Sequence, residues 1–146
     1  MNTNPPFKVA LARAIVFCGG LLFVLTALAK LSEQGEFAEA VREHGLFAPP
    51  LVASVATLVP IIELIIGTVA LFASVVGRRV RIASIGLTLL MITFTAYAIL
   101  LVVHPPHVAA TCGCSLSRAP VESWTPIVLR NALMGMTFVG AAVIRC

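Results

Sequence analysis

Four long stretches of the chain are almost free of charged side chains: Val9–Ala29, Leu51–Val76, Ile82–Val103 and Thr125–Ile144. An α-helix rising 1.5 Å per residue needs about 20 residues to cross a hydrocarbon core about 30 Å thick, and each stretch meets that length. None alternates apolar with polar positions, as strands of a membrane barrel do. A helix also satisfies its own backbone in lipid, where no water can. The pattern predicts an all-α integral membrane protein, one domain over residues 1–146, built as a four-transmembrane-helix bundle. A shorter amphipathic helix is expected between the first and second spans. Phe37 and Val41 share one of its faces, with Leu46 and Phe47 just beyond, and Glu36, Glu39 and Glu43 lie round the other side. Ser32 is its expected N-cap and Gly45 its stop. Such a segment would rest on the outer bilayer surface or roof the bundle, or would simply be a solvated connector helix.

Composition sharpens this picture. Apolar residues make up 60% of the chain and charged residues 11%, against roughly 45–50% and 25% in soluble domains. A soluble globule, a disordered tail and a secreted disulfide scaffold are excluded. The net charge of +4 is spread over scattered bases, without the basic aromatic patch of a nucleic-acid binder.

The bases set the expected orientation. Lys8 and Arg13, the Arg78, Arg79 and Arg81 turn, and Arg145 lie on one side; Lys30, Arg42 and Arg118 lie on the other. Six against three places both termini and the arginine turn in the cytoplasm by the positive-inside rule. The loops around 30–50 and 104–124 then face outward, and the expected location is a bacterial cytoplasmic (inner) membrane. Ala27-Leu28-Ala29 imitates a signal-peptide cleavage site, but the preceding apolar run is longer than usual for one and reads as a retained first helix. Thr125 is the expected cap of the last span, with Pro126 at its first position and Trp124 at the outer interface. Gly19, Gly20, Gly67, Gly86, Gly135 and Gly140 offer close helix approach.

The sharpest chemical feature is Cys112-Gly113-Cys114 in the second outer loop. Outside the cytoplasm of a bacterium, paired cysteines meet oxidising machinery. Gly113 permits the tight backbone that closure of so small a ring requires, and strained, exposed disulfides are the exchange-active ones. Thiol–disulfide exchange through Cys112 and Cys114, a static closure of the loop, and metal binding all remain open. For the metal reading, His104 and His107 complete His-x2-His-x4-Cys-x-Cys, with ligand types suited to zinc or a softer ion. Cys-x-Cys is closer spaced than common zinc knuckles, and both histidines flank Pro105-Pro106 where the third span ends, so interfacial capping accounts for them equally. Cys18, mid-span, reads as an inert small apolar residue, and the terminal Cys146 lies on the other side from the pair. Tyr97 reads as packing.

Three polar residues sit inside the spans: Glu63, about twelve residues into the second, and Arg130 and Asn131 in the second turn of the fourth. A charge at mid-bilayer costs at least about 2.5–3.5 kcal/mol, so it should face the bundle and be paired. Arg130 is the base well inside a span and therefore the expected partner of Glu63, across a depth difference of about 9 Å. A structural pair and a role in moving protons or substrate are both compatible with this position.

Several short motifs in this order resemble the MauE branch of the DoxX-like membrane proteins: Ala29-Lys30-Leu31, the Phe37–Leu46 segment, Pro60-Ile61-Ile62-Glu63-Leu64 with Gly67, Cys112-Gly113-Cys114, and Val128-Leu129-Arg130-Asn131. The resemblance covers nearly the whole chain. It implies a four-helix membrane protein of extracytoplasmic redox maturation, whose namesake helps process the disulfide-rich small subunit of methylamine dehydrogenase. It carries over Cys112, Cys114, Glu63, Arg130 and Asn131 as candidate functional positions. The branch commonly reads Cys-Gly-Cys-Phe-Gly; Ser115-Leu116 stand here instead, which alters the expected partner surface.

The leading function is thus a membrane thiol–disulfide factor meeting a thioredoxin-like or disulfide-containing extracytoplasmic protein. In that reading Glu63, Arg130 and Asn131 shape the bundle or line a polar pocket beneath the loop. A non-catalytic subunit of a larger membrane complex is the alternative, and soft-metal handling through His104, His107, Cys112 and Cys114 a third. No haem or flavin site is recognisable in the sequence, and a quinone pocket or soft metal has no motif behind it.

Overall fold

A computed structural model describes residues 6–106 and 123–144 of the chain. The described residues form five helices: α1 (Pro6–Ser32), α2 (Gln34–Glu43), α3 (Pro49–Val76), α4 (Val80–Val103) and α5 (Thr125–Val143). Four of them, all but α2, are long and apolar enough to cross a membrane. Their outward faces carry large apolar side chains, with Phe72 71% and Val143 75% exposed, the surface of a chain solvated by lipid. The protein is a multi-pass membrane protein with an all-helical bundle.

Each span buries one stripe at helical spacing. In α1 it runs through Val16, Gly20, Phe23, Ala27 and Lys30; in α3 through Val52, Ala56, Pro60, Glu63, Gly67, Ala70 and Ser74. The two stripes meet where Gly20 and Gly67 touch. A Cβ on Gly20 would lie 2.8 Å from the Gly67 carbonyl oxygen, and one on Gly67 would lie 2.9 Å from that of Gly20. Only hydrogen fits at this backbone-to-backbone crossing. In α4 and α5, Leu87, Met91 and Phe138 fill the middle, and buried Ser84 donates to the Phe138 carbonyl at 2.6 Å.

One end of the bundle collects the C-termini of α1 and α4, the N-termini of α3 and α5, and α2. Taking Gly20 as level with Gly67, α3 projects about 9 Å beyond α1 here at 1.5 Å per residue, and α2 rests on that projection. Gln34 reaches across to Thr57, Nε2 to Oγ1 2.7 Å, while Ala40 and Val41 are buried. Gly45, at φ 69°, turns the chain just past α2 as expected. At the other end, Arg13 donates to the carbonyls of Ser74 and Val75, both at 2.8 Å. This satisfies C-terminal carbonyls of α3 that the helix itself leaves open.

Three local expectations shift. Ser32 is the last residue of α1, its hydroxyl bonded back to Ala29 O, and Glu33 takes the N-cap position of α2 without a side-chain cap bond. Trp124, not Thr125, is the N-cap residue of α5. Trp124 does not face lipid: it is buried against Leu101, with Leu46, Tyr97 and Ile127 around it. The roof that α2 forms captures a ring that composition alone assigns to the membrane boundary.

Candidate functional site

Lys30 is the residue on which the site turns. The apolar run of the first span ends at Ala29, so Lys30 looks like the start of a solvated loop, yet α1 continues to Ser32. Helical side chains lean toward the helix N-terminus. A lysine near the C-terminal end of α1 therefore points back into the bundle. Its ammonium lies 2.5 Å from Glu63 Oε1, with the glutamate fully buried and the lysine nearly so. The same ammonium sits 5.3 Å from the ring centroids of both Phe37 and Phe94, within cation–π range of two faces.

Arg130 is therefore not the partner expected for Glu63. It stands near the N-terminal end of α5, so the same lean carries its side chain toward the bundle end and away from mid-span. Arg130 is exposed, and its hydrogen bonds among the described residues run to Asn131 Oδ1 at 3.3 and 3.4 Å.

The structure nevertheless brings Glu63, Arg130 and Asn131 to one place. Together with Thr26 and Lys30 they line a cavity of about 250 Å³ between α1, α3, α4 and α5, whose remaining walls are Leu22, Phe23, Met91, Phe94 and Met134. Leu22 and Arg130 are exposed and form its rim. Two buried polar atoms on its wall, Glu63 Oε2 and Asn131 Nδ2, have no hydrogen-bond partner among the described residues. Buried polar groups are paired as a rule, and leaving one unmet costs about 1–3 kcal/mol.

On the far side of Lys30 and Phe94 lies a smaller, mostly apolar space of about 120 Å³ under α2. His44, which sequence reasoning passed over, is buried at its edge. It shares a 2.6 Å hydrogen bond with Tyr97 and meets the Trp124 ring edge-on at 5.2 Å between centroids. Tyr97 is thus a bonded member of the roof rather than packing alone. Lys30 had a legible signal: it continues the buried stripe of α1 at the spacing 16, 20, 23, 27, 30. His44 had none, because its burial depends on how α2 folds over.

Cys112, Cys114 and His107 lie outside the described residues, between Pro106 and Ser123. His104 closes α4, exposed, with its backbone N–H on Leu100 O at 2.7 Å. Among the described residues no group of three His, Cys, Asp or Glu side chains is placed to hold a metal. Cys18 is a free thiol on the outer face of α1.

A family model described as "Methylamine utilisation protein MauE" matches residues 8–143. The chain belongs to the MauE family. The match runs from the first turn of α1 to the last residue of α5, so all four spans, the α2 roof and the cavity fall within it. Neither the curated proteins nor the solved structures searched gave a match.

Proposed function

We propose that this MauE-family protein is a thiol–disulfide factor of the bacterial cytoplasmic membrane, acting through Cys112 and Cys114 on a thioredoxin-like or disulfide-containing protein outside the cytoplasm. The observation that carries the reading is a Cys-Gly-Cys pair in the α4–α5 connection of a chain belonging to this family. That connection leaves α4 and re-enters α5 at the α2 end of the bundle, the end that the distribution of Lys and Arg puts outside. Oxidising conditions there favour a closed pair.

In the exchange, a client thiolate attacks one sulfur of the Cys112–Cys114 disulfide. A mixed disulfide forms and the other cysteine leaves as a thiolate. The client's second thiolate then attacks the mixed bond. Two electrons have passed from client to pair, the client carries a disulfide, and the two client protons end on Cys112 and Cys114. The same steps in reverse reduce a client. Glu63, Arg130 and Asn131 take no part in the exchange; they shape the bundle and its cavity below.

The test is capture. Cys112→Ser and Cys114→Ser proteins are produced in cells, thiols are alkylated at lysis, and complexes are separated without reductant. One variant is expected to hold a client in a covalent complex that dithiothreitol releases. If neither holds any protein and both support normal maturation of secreted disulfide proteins, the exchange reading is wrong.

A further inference from the structure

We propose that the cavity between α1, α3, α4 and α5 binds a lipid-soluble hydroxyaromatic molecule of the hydroquinone class, one ring hydroxyl held between Glu63 Oε2 and Asn131 Nδ2. The two unmatched atoms have opposite polarity: Oε2 accepts and Nδ2 donates. A single hydroxyl answers both, donating its O–H to the carboxylate while its oxygen accepts from the amide. Three other ligand classes answer only one. An anion would accept from Asn131 but face the Glu63 carboxylate. A metal cation would suit Oε2 but meet the Lys30 ammonium and the amide N–H. A ketone or quinone carbonyl would leave Oε2 without a donor.

The walls choose among hydroxyl compounds. One water molecule takes about 30 Å³, a small part of the cavity's 250 Å³, and most of its lining is apolar. Phe23 and Phe94 lie with ring centroids 6.2 Å apart and planes 27° from parallel, while Met91 and Met134 bring thioethers. Aromatic faces and thioethers pack well against a flat ring. Exposed Leu22 at the rim offers an apolar surface along which a tail would leave toward the bilayer. Binding in this cavity requires neither Cys112 nor Cys114.

Binding is measured with the purified full chain in lipid nanodiscs, using a radiolabelled decyl-hydroquinone as probe. Saturable binding at one molecule per chain is expected. The dimethyl ether of the same ring, which lacks the O–H donors, and its oxidised quinone should each bind at least about tenfold more weakly. Asn131→Leu, which removes the amide donor, should weaken the probe by at least about tenfold. Met134→Trp, which fills the space while leaving Glu63 and Asn131 in place, should abolish binding while elution profile and helix content stay unchanged. Absence of saturable binding overturns the proposal. So does equal affinity for hydroquinone and ether, or undiminished binding when both variants are folded. Should Asn131→Leu not fold, Met134→Trp and the ether comparison still decide.

Discussion

At the scale of single residues, the Lys30–Glu63 pair dominates. Two charges taken out of water recover their desolvation only through each other, so removing one partner of a buried pair costs roughly 3–5 kcal/mol. Lys30→Met and Glu63→Leu are each expected to destabilise the bundle on that scale in denaturant titrations in micelles. The double substitution should restore most of the loss, because no unpaired charge is left. Arg130→Gln should stay within about 0.5 kcal/mol, since its charge is exposed and Glu63 does not depend on it. Additive losses at Lys30 and Glu63, or a loss at Arg130 as large as theirs, would contradict the pairing. Glu63 was legible in the sequence as a charge that the bilayer should exclude. Its partner was not, because the lean of a side chain at a helix end decides which of two bases reaches it.

At the scale of elements, the crossing of α1 and α3 sets the depth of everything above it. It holds Lys30 Cα about 9 Å above Glu63 Cα at 1.5 Å per residue, a gap that the two side chains close between them. Gly67→Val puts carbon against the Gly20 backbone, where neither side can give, and should cost about 1–3 kcal/mol or more. Gly140→Ala, in α5 at a position with nothing within 4 Å, should be neutral or stabilising by up to about 1 kcal/mol, alanine being the better helix former. Thermal unfolding of the two variants in one detergent compares them directly; equal stability would remove the close crossing as a determinant of the fold. The spans themselves were readable from apolar run length within a few residues. Their caps were less so: Ser32 bonds within α1, and Trp124 rather than Thr125 opens α5, since the α2 roof competes for residues that local propensity assigns elsewhere.

At the scale of the whole molecule, the two ends of the bundle differ in their share of Lys and Arg. The distribution of bases predicts that the α2 end lies outside. In spheroplasts of a strain producing Cys18→Ser/Cys146→Ser protein, a membrane-impermeant phosphine followed by an impermeant maleimide should label Cys112 and Cys114 without lysis. Labelling only after the membrane is opened would invert the orientation and remove the oxidising compartment from the proposed exchange. Cys18 lies on the outer face of α1 within the span and should resist the same reagent in the wild-type chain.

The sequence by itself determined the class of protein, the number of spans, the presence of an amphipathic segment after the first span, and the candidates Glu63, Arg130 and Asn131. All of these follow from what a hydrocarbon solvent accepts along a chain, a property each segment carries alone. Tertiary structure decided who pairs with whom. Lys30 became an interior cation because α1 runs past its apolar stretch and leans it inward, while Trp124 and His44 entered the core because α2 folds over α3. The cavity exists only where four helices meet, with its unmatched donor and acceptor on α5 and α3. The scarce charges of the sequence thus became a site through distances that no single segment encodes.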